Sequence, residues 1–266
     1  MKVKLKVYPL SFREIVQSIS LLGAAAFLIA MILGYKQAIH TICPYASVCF
    51  GLGKTGFLWM VVGAFWLTTI ASLVILLHSV FFGRVFCGYV CPLGTFQEAL
   101  FTLRSTEYRR NHKVSFFYEQ RFARLKYFIM IITMLLSIFG VAYFYIRFCP
   151  IYGISMLPKI AFPGFMLFIL IAISSFFIER FWCRYLCPYA GLLNIFQLLG
   201  KVLGIKRKKI RRNLERCIDC GICVQNCPMN LNITEHEYVH SLDCIYCNIC
   251  SERCPKPGTI SNMREE

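Results

Sequence analysis

Acidic residues are scarce in this chain: 13 Asp and Glu stand against 29 Lys and Arg, a formal charge of +16 over 266 residues. Charge of either sign is thin, at 16% of the sequence, where an average soluble domain carries about 25%. Histidine numbers only five. A membrane b-type haem takes two histidines at matching depth, and only His78 falls within a long apolar stretch, so haem is disfavoured. No segment reads as DNA-binding or kinase-like.

What is abundant is apolar. Hydrophobic residues make up 58% of the chain and mean hydropathy is +0.60. A bilayer crossing takes ~20 apolar residues. Four stretches are candidates: Ile15–Tyr35, Gly56–Phe82, Tyr127–Ile146 and Ile160–Ile178. The first follows a basic start, but its apolar core is too long for a secretory signal and reads as an uncleaved anchor. Lys and Arg are shared unevenly among the loops. The N-terminus, the 83–126 loop and the chain from Arg180 onward hold 25, and the remaining loops hold only Lys36, Lys54, Arg147 and Lys159. The positive-inside rule then predicts a multi-pass membrane protein with both termini cytoplasmic. The surplus of positive charge is mainly a topology signal, and nucleic acid drops out as a partner.

Cysteine carries the chemistry. The run Cys217-x-x-Cys220-x-x-Cys223-x-x-x-Cys227-Pro228 is followed by Cys244-x-x-Cys247-x-x-Cys250-x-x-x-Cys254-Pro255. Two such runs are the ligand set of a bacterial two-cluster ferredoxin, in which each run gives three thiolates to one 4Fe–4S cubane and its fourth to the other. That pattern assigns Cys217, Cys220, Cys223 and Cys254 to one cluster, and Cys244, Cys247, Cys250 and Cys227 to the second. Zinc typically takes paired C-x-x-C arms, four cysteines per ion, and fits these runs poorly. The C-terminal part is expected to move electrons as a small α+β ferredoxin module.

A second cysteine pattern is duplicated. The segment Gly83-Arg84-Val85-Phe86-Cys87-Gly88-Tyr89-Val90-Cys91-Pro92 answers to Glu179-Arg180-Phe181-Trp182-Cys183-Arg184-Tyr185-Leu186-Cys187-Pro188, and both cysteine pairs are offset by 96 residues. Upstream, Cys43-Pro44 answers to Cys149-Pro150. The expected unit is two helices, repeated in the same direction. Residues four apart share a helical face, so Cys87, Cys91, Cys183 and Cys187 can converge to hold a third cluster or a metal, or to run a dithiol/disulfide relay. The plainer reading is that they pack as small apolar residues at helix ends. Arg84, Arg180 and Arg184 beside them would lower thiol pKa and help hold an anionic centre. Cys43, Cys49 and Cys149 are expected at the opposite, external face, as a disulfide or as a further metal or redox site.

Apolar spans, two C-x-x-x-C-P motifs and a C-terminal two-cluster ferredoxin module together resemble the NapH-type quinol dehydrogenase membrane component. The architecture is also similar to the membrane part of NosR-type and CcoG-type proteins. The resemblance runs from about Ile15 to Pro255, without the flavin-attachment and large periplasmic domains of NosR-type proteins. It implies an integral membrane electron-transfer subunit rather than a stand-alone enzyme. Electrons would pass between quinol, or a membrane or periplasmic redox partner, and two cytoplasmic-side 4Fe–4S clusters. Other redox subunits and the quinone pool are the implied partners, and His40 becomes a candidate proton acceptor from a quinol. The CcoG-type branch implies an alternative of another class, a metal-handling or assembly protein such as a cupric reductase or a metalloenzyme maturation factor.

The expected fold is an all-α membrane protein with four transmembrane helices over residues 1–200, followed by the ferredoxin domain over 217–266. Residues 201–216 are expected to form a basic juxtamembrane linker. Its run Lys206-Arg207-Lys208-Lys209-Ile210-Arg211-Arg212 suits an anchor to anionic lipid.

Overall fold

The structure is a computed structural model and describes residues 11–33, 43–51, 66–155 and 162–264. The N-terminal part is helical. Its principal helices are α1 (Phe12–Ile32), α2 (Trp66–Phe82), α3 (Val85–Tyr89), α4 (Pro92–Thr102), α5 (Leu125–Ile138), α6 (Phe162–Phe177) and α7 (Pro188–Val202). Short helices at Thr106–Asn111 and Phe116–Phe122 bridge α4 to α5, and Ala142–Ile146 and Pro150–Ser155 follow α5.

Each Cys-Pro pair of the duplicated motif starts a helix. Cys91 and Cys187 are the N-caps of α4 and α7, at φ −67°, ψ 111° and φ −68°, ψ 111°, with proline next in both. Proline suits the first helical position because its fixed φ is helical and its missing N–H would lack a partner there anyway. The turn before each cap is shared too. Cys91 N–H donates to Phe86 O and Cys187 N–H donates to Trp182 O, both five residues back. Cys183 lies in the π-helical turn Trp182–Leu186. The members of each pair are therefore joined by a wide π-type closure, and not by the single α-helical turn expected from the spacing.

Packing around the motifs is reciprocal. Helix α4, which follows the first motif, packs on α6, which precedes the second; α7, which follows the second, packs on α2, which precedes the first. Helix α1 lies against α4, and α5 against α7. The motifs end up between the interlocked halves.

The expectation of four transmembrane helices is corrected here. Among the described residues one helix is long and apolar enough to cross a membrane, over Phe12–Ala30 with a mean hydropathy of 1.5. Helices α2, α5 and α6 have 17, 14 and 16 residues, short of the ~20 that a crossing takes. In the third apolar stretch the cause is visible: α5 stops at Ile138, and Gly140 turns the chain at φ +75° before the next short helix. A hydropathy reading sees continuous apolar sequence there and misses the break. Parts of the second and fourth stretches, with His40, Lys36, Lys54 and Lys159, lie outside the described residues.

The C-terminal part has two antiparallel strands, β1 (Lys208–Arg212) and β2 (Ile260–Arg264), with Lys208 opposite Arg264 and Arg212 opposite Ile260. The basic run read as a lipid anchor is thus strand β1 of this module, and Arg207, Lys209 and Arg212 are buried. Lys206 and Lys208 stay exposed, so the strand lies within the stretch expected as a basic linker and buries part of its charge. Between the strands lie two cysteine loops of matching shape. Asp219 and Gly221 in the first, and Tyr246 and Asn248 in the second, all have positive φ, from 51° to 71°. Left-handed residues set among right-handed ones turn successive backbone N–H groups inward, the nest geometry common at iron–sulfur sites.

Candidate metal centre

The eight ferredoxin cysteines sort into two cavities. One is lined by Cys227, Cys244, Cys247 and Cys250, with Ile210, Met229 and Val239 among its apolar walls. The other is lined by Cys217, Cys220, Cys223 and Cys254, beside Ile218 and Ile260. The cavities differ in exposure: Cys227, Cys244, Cys247 and Cys250 are all buried, whereas Cys220 is exposed and Cys217 and Cys254 are half-buried. Burial pushes the Cys247 thiol up to about 11 and raises Cys227, Cys244 and Cys223 as well. Ligation would displace those protons, because the thiolate is the ligand.

Other donors approach the sulfurs. Leu231 N–H lies 3.4 Å from Cys227 Sγ, and Arg212 Nη1 lies 3.5 Å from Cys217 Sγ. Such contacts stabilise negative charge on sulfur and tune a cluster held there. Among the described residues no three His, Cys, Asp or Glu side chains converge as a single metal ion requires. A tetrahedral zinc site would hold its sulfurs within about 3.8 Å of one another, from a Zn–S distance of about 2.3 Å. Four thiols in each cavity, three from one C-x-x-C-x-x-C run and one from the other run, are the ligand pattern of an iron–sulfur cluster and fit it better than zinc.

The duplicated motifs face each other. Cys91 lies within electrostatic reach of Cys183, Cys87 and Cys187, and Cys187 within reach of Cys183 and Cys87. Burial, then these neighbouring thiols, pushes both caps up. An exchange of arginines ties the halves together. Arg84 of the first motif donates to the Cys183 carbonyl at 3.3 Å, and Arg180 of the second donates to the Cys87 carbonyl at 2.6 Å. Gln97 Nε2 approaches Cys183 Sγ at 3.4 Å. Carboxylates hold the arginines in turn: Arg84 pairs with Asp243, Arg180 and Arg13 with Glu98, and Arg184 with Glu119.

The cysteines expected at the external face lie near this group. Cys43 is within electrostatic reach of Cys149, Cys49 and Cys91. Tyr45 stands edge-on to Tyr189, two residues past Cys187, with ring centroids 6.2 Å apart. All fifteen cysteines are free thiols. Sequence reasoning singled out the arginines but missed their partners Asp243, Glu98 and Glu119, and the Lys126 and Asn194 donors that share Asp243. A signal was present: only Glu14, Glu98, Glu107, Glu119 and Glu179 are acidic before residue 200. Of these, Glu98, Glu119 and Glu179 meet cations, while Glu14 and Glu107 are exposed.

Paired four-cysteine cavities on a two-stranded module define an iron–sulfur electron-transfer protein of the ferredoxin type. Comparison with known proteins agrees. The 4Fe-4S binding domain family matches residues 62–111 and 160–206, and the 4Fe-4S dicluster domain family matches 209–255. Escherichia coli YccM, named as a candidate electron transport protein, is 32% identical over 197 residues, 71% of this chain and 53% of its own. The ferredoxin-type protein NapH of Haemophilus influenzae is 26% identical over 59% of this chain and 52% of its own. The methylamine utilization ferredoxin-type protein MauN of Paracoccus denitrificans is 26% identical over 59% of this chain and 53% of its own. The chain is similar to the NapH-like ferredoxin-type proteins. It spans about half the length of these three relatives. No solved structure matches it.

Proposed function

We propose that the chain is a membrane-bound electron-transfer subunit. In this reading Cys217, Cys220, Cys223 and Cys254 hold one 4Fe–4S cluster, and Cys227, Cys244, Cys247 and Cys250 hold another. The observation that carries it is the division of eight cysteines, four and four, over two apolar-walled cavities. Bound clusters supply one-electron chemistry at a potential set by burial, charge and hydrogen bonds to sulfur. The chain supplies the burial, the inward-turned backbone of the cysteine loops, and the Leu231 and Arg212 donors.

We extend the reading to a third cluster on Cys87, Cys91, Cys183 and Cys187, on a balance of charge. The motif arginines Arg84, Arg180 and Arg184, with Lys126 and Arg13 that share their carboxylates, set five buried positive charges on Glu98, Glu119 and Asp243, a local excess of two. Lys113 is matched by Glu179 and adds nothing to the difference. Uncompensated buried charge costs several kcal/mol per ion. A doubly positive cubane on four thiolates carries about −2, which offsets the excess.

The helical part sits in the prokaryotic inner membrane in this reading, through α1 and an apolar belt. Ile19 and Leu22 on α1, Leu73 and Leu77 on α2, Leu135 on α5 and Ile173 on α6 are all exposed. A belt of that extent marks a lipid or protein contact. The ferredoxin module then lies on the positively charged, cytoplasmic side. Likeness to NapH-type proteins supports the quinone pool as electron source or sink, and further redox subunits as partners. The test is addition of a quinol to membranes containing the chain, with the cluster EPR signals as readout. The reading expects the signals of reduced clusters to appear. Clusters that dithionite reduces but quinol does not would remove the quinol link.

A further inference from the structure

The two ferredoxin cysteine sets meet the helical part differently. The loop from Cys244 to Cys247 is pressed against the first C-x-x-x-C motif. A methyl group at Gly88 would lie 2.5 Å from the Ile245 carbonyl oxygen, and one at Gly83 would lie 2.4 Å from the Tyr246 ring. Only glycine allows this approach. Asp243, beside Cys244, accepts from Arg84 at 2.7 Å, from Asn194 at 2.9 Å and from Lys126. Arg84 reaches on to the Cys183 carbonyl, so one carboxylate ties this loop to both motifs. Cys227 is anchored as well. Its carbonyl accepts from Lys113 at 2.8 Å, and Asn230 donates to the Val114 carbonyl and to Glu119, which Arg184 holds.

The other set is turned away. Hydrogen bonds of Cys217 run to Asn213, Arg212 and Asp219, all within the ferredoxin module. Cys220 is exposed, and Ile218 and Lys256 open its cavity to the surface. Electron tunnelling falls steeply with distance, so the set in contact with the motifs has the advantage in any exchange with them.

We propose that Cys227, Cys244, Cys247 and Cys250 form the inner relay, coupled to the C-x-x-x-C pairs through the Gly88–Ile245 contact. Asp243 is the positioning residue that holds this contact closed. Cys217, Cys220, Cys223 and Cys254 form the outer terminal, open to an external redox partner. The proposal rests on the cluster reading above. One electron moves at a time between the sets, and no bond is made or broken.

The test uses the full chain in detergent, reduced by dithionite, with a soluble dysprosium complex as a paramagnetic probe of each cluster's EPR signal. Loss of one signal in Cys220→Ser identifies the outer cluster, and loss in Cys247→Ser the inner one. In the wild type the probe should speed relaxation of the outer signal severalfold and leave the inner signal unchanged. Asp243→Lys should expose the inner signal to the probe while iron content stays at the wild-type value. Equal relaxation of both signals in the wild type overturns the proposal. So does an inner signal still sheltered in Asp243→Lys with its iron intact. Should that variant fail to fold, the wild-type comparison and Gly88→Val decide the matter by the same criteria. A wild-type preparation with neither signal overturns the cluster reading beneath the proposal instead.

Discussion

Glu98 sits between two guanidinium groups, Arg13 at 2.6 Å and Arg180 at 2.7 Å. Burial alone would raise its carboxyl, but Arg180 and Arg13 outweigh burial and hold it at about 2. A carboxyl held below its unfolded value of about 4.3 stabilises the fold at every pH above that value, and the stabilisation is lost as pH falls through the folded pKa. Infrared difference spectra between wild type and Glu98→Gln should therefore show an ionised carboxylate at pH values where an ordinary glutamate is protonated. The substitution should also cost about 3–5 kcal/mol in unfolding measurements at neutral pH, because it leaves buried cations without their counter-charge. A loss below about 1 kcal/mol would mean that the pair behaves as an exposed one. At this scale the sequence showed the cations and concealed their use. Arg13 and Lys126 entered only the charge count, and Arg84, Arg180 and Arg184 entered it as well as standing beside the cysteines, yet the structure buries all five in ion pairs. Which acid meets which arginine is settled by contacts between residues up to 159 positions apart, as for Arg84 and Asp243.

Among the elements, the starts of α4 and α7 were the most legible. Pro92 and Pro188 are local signals, and a proline at the first helical turn needs no tertiary help. Their replacement by alanine should be mild, about 0.4–1 kcal/mol, acting chiefly through the unfolded chain. Thermal unfolding of Pro92→Ala and Pro188→Ala checks this, and a loss several times larger would show that the rings pack as well. Helix length was less legible. The apolar stretch Tyr127–Ile146 is uniform in hydropathy, and its break depends on the left-handed turn at Gly140. Strand β1 was not legible at all. Its run of cations suits a membrane surface equally well, and the strand forms only because residues at the end of the module pair with it.

Across the whole molecule, the two cysteine systems are one assembly. The four-residue spacing in both halves pointed to Cys87, Cys91, Cys183 and Cys187 as one group, and the arginine exchange shows how the halves are locked. What the spacing could not show is the docking of the ferredoxin loop on Gly83 and Gly88, which depends on the absence of two side chains. Serine matches cysteine in size but is a poor ligand for soft metal centres. Cys91→Ser or Cys187→Ser should therefore stop electron passage from the helical part while both ferredoxin clusters still assemble. Wild-type passage in either variant would make these cysteines structural.

The most direct measurement is iron content per chain in the purified protein, taken with an EPR-monitored redox titration. Three four-iron clusters give about twelve iron atoms and three reducible centres, and the combined Cys87, Cys91, Cys183 and Cys187 serine variant should retain about eight. Eight in the wild type would leave the ferredoxin pair and remove the third centre. Fewer than about eight, or zinc in place of iron, would contradict the account at its base.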